Sequence, residues 1–242
     1  MQLGFHAAMG MGMARALVRK GTDDGRRGLA YGLVLGNVLP DTDFFLLGPL
    51  YLVSSELGLQ MHRTFTHSLI TILLVFAVLY YRSKNSYRQN LALGVAMGML
   101  AHSIVDIFIW FSAVRFFWPL GLFGIPDTIN LWSEFHPPEL VSALLGAADY
   151  LAFALFFWLM GRQALSAGTD GTFLPRVRAF ARLSWVLFFV YTIIAFFVNL
   201  AVFNILHYAV FILVMLPITL HVIYRMRETI YSLARTGGIV GS

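Results

Sequence analysis

The stretch of sequence that decides the fold is LSWVLFFVYTIIAFFVNLAVFNILHYAVFILVMLPITLHVIY, which runs from Leu183 to Tyr224. Its 42 residues include no Asp, Glu, Lys or Arg. A helix needs about 20 apolar residues to cross the hydrocarbon core of a bilayer. We therefore predict that this stretch crosses a membrane twice.

The composition extends this conclusion to the whole chain of 242 residues. The chain is 59% hydrophobic and 12% charged, with a mean hydropathy of +0.75, whereas about a quarter of the residues in soluble domains are charged. No segment is long enough for a separate soluble domain. We predict an all-α, polytopic transmembrane helix bundle that forms a single membrane domain over residues 1–242. Its N-terminal half covers about residues 1–120, and its C-terminal helical half covers about residues 139–226.

Hydropathy predicts six membrane spans and a weaker N-terminal seventh segment. The six spans are Leu29–Leu47, His67–Tyr81, Leu91–Phe111, Leu140–Met160, Leu183–Phe203 and Ile205–Tyr224. The weaker segment, Leu3–Val18, is short and contains Arg15. No Lys or Arg precedes it, so it does not have the order of a cleavable signal peptide.

Basic residues mark every second loop. The clusters are Arg15, Arg19, Lys20, Arg26 and Arg27; Arg82, Lys84 and Arg88; Arg162, Arg176, Arg178 and Arg182; and Arg225, Arg227 and Arg235. The positive-inside rule places these loops, and with them the C-terminus, in the cytoplasm. The cytoplasmic loops then explain the net charge of +5, so we expect no nucleic-acid partner.

Ionisable residues inside or beside the apolar segments are the candidates for function, because an unpaired charge in a membrane is costly. Asp41 and Asp43 follow Pro40 at the predicted outer end of the first span, where the proline should interrupt or kink the helix. Two close carboxylates repel each other, and a bound cation would relieve that repulsion. The alternative is a solvated turn or helix cap.

Three histidines and a third carboxylate lie near the same predicted outer face. His62 and His67 lie in the turn that opens the next span, and His102 and Asp106 lie four residues apart, on one face of a helix. Imidazole and carboxylate at that spacing can chelate zinc or another divalent ion, although a hydrogen-bonded pair that joins helices is the alternative. Because the chain has no cysteine, a metal would depend on His and carboxylate ligands alone.

The predicted orientation of the membrane segments rests only on the positions of Lys and Arg. It brings His6 and these candidates to the same outer face. A cluster of four imidazoles and three carboxylates exceeds what one ion needs, so we predict one or two divalent ions. Zinc is the first choice, with manganese or iron as alternatives.

At these residues the sequence resembles the LexA-regulated, membrane-bound, metal-dependent hydrolase family (YdjM-like). The matching pieces are His6, Gly36–Asp43 (GNVLPDTD), His62–Ser68 (HRTFTHS), Gly98–Asp106 (GMLAHSIVD) and Phe117–Pro119 (FWP). Their order and spacing match over roughly residues 6 to 120. That family is in turn similar to zinc-dependent phospholipase C and the P1-type nucleases, which hold metals on helices and hydrolyse phosphodiesters.

The resemblance implies a set of site residues and a location. The implied metal ligands or their close supports are His6, Asp41, Asp43, His62, His67, His102 and Asp106. Among these, Asp43 is also assigned to catalysis, together with Arg63, which could clamp a substrate phosphate or pair with an outer-face carboxylate. The expected location is a bacterial inner membrane, with the site toward the outer face.

Two functions follow from this sequence. The first is a metal-dependent, phosphoesterase-like hydrolase that uses metal-activated water on a phosphoester or lipid-linked substrate, with membrane lipids around it. The alternative is a non-catalytic membrane subunit with a structural metal, packed against partner proteins or pigments, or against copies of itself. Outside the cluster, Asp149 needs a partner across the bundle, and His207 is interpreted as an inter-helix hydrogen bonder.

Overall fold

The computed structural model describes residues 3–18, 21–109 and 113–234, which fold into helices joined by turns and one long loop. The helices are α1 Leu3–Leu17, α2 Asp23–Gly36, α3 Phe44–Val53, α4 Ser55–His62, α5 Leu69–Tyr81, α6 Ser86–Ile109, α7 Glu139–Ala167, α8 Leu174–Ile194, α9 Leu200–Val210, α10 Leu216–Arg225 and α11 Arg227–Leu233. Within the described ranges there is no β-strand, only an isolated bridge between Val114 and Ile129. The prediction of an all-α membrane protein is confirmed.

Four described helices are long and apolar enough to cross a membrane. They are α6, α7, α8 and the continuous rod Leu200–Arg225, in which a π-helical turn, Phe211–Met215, joins α9 to α10. The uncharged stretch Leu183–Tyr224 therefore supplies most of two candidate spans, as predicted. The break between them lies at residues 195–199, where Asn199 caps α9 by accepting from Val202 N at 2.9 Å.

A fifth candidate span is bent, and the predicted count of six or seven is not confirmed. Helix α2 and the segment Leu39–Leu50 meet at 51°, because Pro40 starts a 3-10 turn, Leu39–Asp43, between them. Helix α5 has 13 residues and α1 has 15, so α5 rises only about 20 Å against a core of about 30 Å. The predicted end of the third span, Phe111, lies outside the described residues, as do Arg19, Lys20 and Arg235 of the basic clusters.

Glycines bring α2 and α6 into backbone contact. Gly28, Gly32 and Gly36 recur every four residues on α2, and a methyl group on any of them would overlap backbone oxygens of α6. Gly94 and Gly98 of α6 are equally crowded by the α2 backbone. Small residues at such spacing let membrane helices approach closely. This contact places the end of α2, and the bend after it, directly against the middle of α6.

The main core surrounds α7. Its largest fully buried side chains include Tyr150, Phe153, Phe156 and Phe157 of that helix. Buried residues of α1, α2 and α8 to α11 belong to the same cluster. Helix α7 thus ties the N-terminal helices that carry the candidate site to the C-terminal helices.

Candidate metal centre

The seven predicted ligands or supports come from five elements and meet in one buried cluster. His6 lies in the first turn of α1, Asp41 and Asp43 in the 3-10 turn at the bend, and His62 at the end of α4. His67 lies in the turn before α5, while His102 and Asp106 are one turn apart on α6. The chain thus brings together residues up to 100 positions apart.

The bend sets the orientation of the His102 ring. His102 Nδ1 lies 2.7 Å from the backbone oxygen of Asn37, at the end of α2. A carbonyl oxygen can only accept, so Nδ1 carries the proton and Nε2 presents its lone pair to the cluster. Such an outer hydrogen bond is the usual support of a metal-binding histidine.

Three groups face each other around that lone pair. His67 Nε2 lies 3.1 Å from His102 Nε2 and 3.2 Å from Asp106 Oδ2, and His102 Nε2 lies 3.6 Å from the same oxygen. Ligands about 2.0–2.1 Å from a tetrahedral zinc are separated from each other by about 3.3 Å. The three atoms therefore have the separations of ligands to one small cation.

His62 is held by a carboxylate on its outer side. Its Nδ1 lies 2.6 Å from Asp43 Oδ1, and Asp43 Oδ2 accepts a 2.8 Å hydrogen bond from Thr66 Oγ1. His62 Nε2 points inward, 3.3 Å from Asp41 Oδ1. Asp43, predicted both as a ligand and as catalytic, thus lies behind His62, with both its oxygens engaged.

Asp41 is the carboxylate with the least protein support. It is 1% exposed, and neither of its oxygens has a hydrogen-bond partner. Oδ1 lies 3.3 Å from His62 Nε2 and 3.6 Å from His102 Nε2. In the neutral rings both of these nitrogens carry lone pairs, because the Nδ1 of each ring donates to an oxygen. A buried carboxylate without donors is costly, and a cation among these atoms would compensate its charge.

His6 closes the cluster from the α1 side. Its Nε2 lies 3.1 Å from Asp106 Oδ1, and its ring stacks on that of His102 at 3.7 Å between centroids. Asp106 thereby contacts His6 with one oxygen and His67 with the other.

The donors form two overlapping groups that could hold a metal ion. One is His6, His102 and Asp106; the other is Asp41, His67 and His102, and in each group the ligand atoms lie within 4.8 Å of one another. His102 has one lone pair to give, because its Nδ1 faces Asn37. The donor set therefore fits one ion directly, and a second would need a carboxylate to bridge.

The centre is enclosed by protein. His6, His62, His67 and His102 are 0% exposed and Asp106 is 2% exposed. The Asp43 side chain, at 12%, is the most open of the set. The most exposed part of the cluster is therefore the side where Asp43 and Thr66 lie.

Arg63 follows His62 and is a buried cation. It is 4% exposed, and its Nε and Nη1 atoms have no hydrogen-bond partner. Its backbone oxygen accepts from Arg115 N at 3.0 Å. The predicted pairing with an outer-face carboxylate is not seen among the described residues, which leaves the guanidinium available to an anion.

A loop after α6 covers this turn. Ser68 Oγ donates to the backbone oxygen of Trp118, and the Trp118 ring packs edge-on against Phe65 at 5.5 Å. Arg115 fastens the loop to Asp127 with hydrogen bonds of 2.7 and 3.1 Å, which hold the pKa of that carboxyl below its ordinary range. The FWP motif therefore supports the histidine turn rather than lining the cluster.

The predicted partnership of Asp149 is confirmed in the C-terminal half. Its Oδ2 lies 3.3 Å from His207 Nε2, and both residues are buried between α7 and α9. Phe44 links this half to the metal centre, since its ring lies 4.1 Å from that of His62 and 6.2 Å from that of Tyr208.

Two supporting contacts were not predicted. The Asn37 carbonyl acts through its backbone, which no side-chain pattern reveals. Thr66 lies in the HRTFTHS motif, and its spacing of four residues from His62 is a signal from which this contact could be predicted.

Comparison with known proteins gives the family. No curated protein and no solved structure matches the chain. The family model described as YdjM inner membrane protein matches residues 1–202, which include every residue of the candidate metal centre. The chain is an integral membrane protein that belongs to the YdjM inner membrane protein family.

Proposed function

We propose that this chain is a membrane-embedded, metal-dependent hydrolase. The observation that carries the proposal is the convergence of His62, His67 and His102 Nε2 with oxygens of Asp41 and Asp106. The buried Arg63, which follows His62 in the chain and forms no ion pair among the described residues, adds a cation. A divalent ion, zinc by its preference for imidazole and carboxylate, would supply Lewis acidity and acidify a water molecule.

The proposed roles of the residues differ according to where they lie in the cluster. Asp41, His67, His102 and Asp106 would hold the ion, with His6 and His62 completing the shell from either side. Asp43 would position His62 through the Nδ1 hydrogen bond. Arg63 would bind an anionic oxygen of the substrate, because its planar guanidinium suits phosphate and has no other described partner.

A phosphoester, free or lipid-linked, is the substrate class that fits these groups. Arg63 would favour an anionic substrate, and the cluster lies in a helix bundle with its most exposed side at Asp43. We place that side at the outer face of a bacterial inner membrane and the C-terminus in the cytoplasm, following the distribution of Lys and Arg.

The test is turnover by purified, metal-loaded protein on bis-p-nitrophenyl phosphate and on a phospholipid. We expect hydrolysis by the wild type and a loss of about 10²-fold or more in Arg63→Gln, with its metal content unchanged. Arg82→Gln, which changes an exposed arginine at the end of α5, is the matched control and should retain full activity.

A structural ion in a non-catalytic subunit is the second candidate, and the burial of the histidines favours it. A closed site with every position filled by protein is typical of structural metals. If wild type that contains stoichiometric metal hydrolyses neither substrate faster than Asp41→Asn does, the structural assignment replaces the catalytic one.

A further inference from the structure

A cavity of about 810 Å³ lies between α7 and α8, apart from the metal centre. Arg162 from the last turns of α7 and Arg178 and Arg182 from the first turns of α8 line it, with Trp158 and Trp185 beside them. Its volume falls in the range of about 300–1,000 Å³ that small-molecule sites occupy.

The charges in this cavity are not balanced by protein. No carboxylate lines it, and the arginines that form ion pairs within the described residues are Arg26, Arg27 and Arg115, at other places. Three guanidinium groups around one space repel each other. A bound anion would remove that repulsion, and arginine recognises phosphate with paired hydrogen bonds.

The surrounding side chains are those of a membrane interface. Trp158 and Trp185 are 52% and 49% exposed, and the Arg162 guanidinium lies 5.3 Å from the Trp158 ring centroid. Tryptophan concentrates at the level of lipid headgroups. The cavity thus combines an anion-binding group with the residues that mark headgroup depth.

An apolar stripe continues from the cavity along α8. Trp185 stacks with Phe189, one turn further on, and Ile193 follows after another turn; both are more than half exposed. A soluble phosphate would leave this stripe unused, whereas a phospholipid would lay its acyl chains along it. The continuity of charge, tryptophan and apolar surface therefore favours a lipid over a free anion.

The cavity lies at the opposite end of the bundle from the metal centre. Arg162 also lines a second cavity together with Arg15, in the last turn of α1, whereas His6 lies in the first turn of that helix. In the orientation set by the basic loops this end faces the cytoplasm.

We propose that the cavity between α7 and α8 is a binding site for one anionic phospholipid of the cytoplasmic leaflet. Arg162, Arg178 and Arg182 bind the phosphate, Trp158 and Trp185 flank the headgroup, and Phe189 and Ile193 contact an acyl chain. This site is independent of the proposed hydrolase activity.

The test is native mass spectrometry of the detergent-purified chain titrated with phosphatidylglycerol and, separately, with phosphatidylcholine. We expect the wild type to bind one phosphatidylglycerol in preference to phosphatidylcholine. Each arginine near an anionic headgroup changes affinity about fivefold, so Arg178→Gln with Arg182→Gln should weaken phosphatidylglycerol binding about 25-fold. Arg176→Gln, on the same helix but outside the cavity lining, should leave it unchanged.

Three results would overturn the proposal. One is equal binding of the two lipids by the wild type, a comparison that does not depend on the folding of any variant. Another is equal loss in Arg176→Gln and in the double variant. The third is full displacement of phosphatidylglycerol by an equal concentration of glycerol 3-phosphate, which would identify a soluble phosphate as the ligand. An unchanged thermal unfolding midpoint in detergent checks that the double variant is folded.

Discussion

Among the single residues of the candidate metal centre, those that would hold a metal differ in their surroundings from those that position them. Asp41 has two buried oxygens without hydrogen bonds, while Asp43 is engaged by His62 and Thr66. Sequence alone treats the two carboxylates of the LPDTD turn alike. Their different surroundings give them different roles in the proposal.

The two aspartates should therefore respond differently to the same isosteric change. Asp41→Asn removes the charge that faces the imidazoles and should abolish metal binding. Asp43→Asn weakens only the support of His62, and loss of such a contact typically costs 10–100-fold in metal affinity. Competition with a chromogenic chelator measures both values, and equal affinities for the two variants would contradict the assignment.

At the scale of elements, the close contact of α2 and α6 positions the site. Their glycines allow the backbones to touch, and this puts the Asn37 carbonyl within 2.7 Å of His102 Nδ1. Gly36→Ala would push the helices apart, since a methyl group there overlaps the carbonyl oxygen of Val95. We expect a loss of about 1–3 kcal/mol of stability and weaker metal binding.

The matched control for this change is Gly12→Ala on α1. A methyl group at Gly12 would meet nothing within 4 Å, and alanine is the better helix former. Thermal unfolding in detergent should show a lower midpoint for Gly36→Ala and an unchanged or higher one for Gly12→Ala. Equal midpoints would mean that the helix contact is looser than described.

The loop that covers the histidine turn makes a second prediction at this scale. Asp127→Asn should weaken the fastening to Arg115 and lower stability by less than about 1 kcal/mol, because the Arg115 side chain is 38% exposed. The lowered pKa of Asp127 means that its contribution is present above its ordinary pKa and is lost as the pH falls through the lowered value. The difference in unfolding midpoint between wild type and variant should therefore shrink in acid; a constant difference would contradict this.

At the scale of the whole molecule, hydropathy and charge predicted the class of protein and the gathering of the candidate ligands. The gathering could be predicted because alternating basic loops set the direction of each segment. Pro40 predicted an interruption of the Leu29–Leu47 helix, and the structure bends there by 51°; hydropathy alone counted that segment as one span. The side-chain pairings depend on distances between helices, which a single sequence does not contain.

The orientation itself is testable because the chain has no cysteine. Ser133→Cys places a thiol in the exposed loop before α7, and Thr172→Cys places one in the exposed turn between α7 and α8. In intact cells a membrane-impermeant maleimide should label Ser133→Cys, and it should label Thr172→Cys only after lysis. The reverse pattern would move the metal centre to the cytoplasmic side.

The most direct test of the central claim is the metal content of the detergent-purified protein, measured by mass spectrometry without chelators. We predict about one divalent ion per chain in the wild type and its loss in Asp41→Asn and His102→Ala. The ion should be retained in Asp149→Asn, which changes a buried carboxylate that is paired with His207 instead. Wild type without stoichiometric metal, or full retention in both cluster variants, would contradict it.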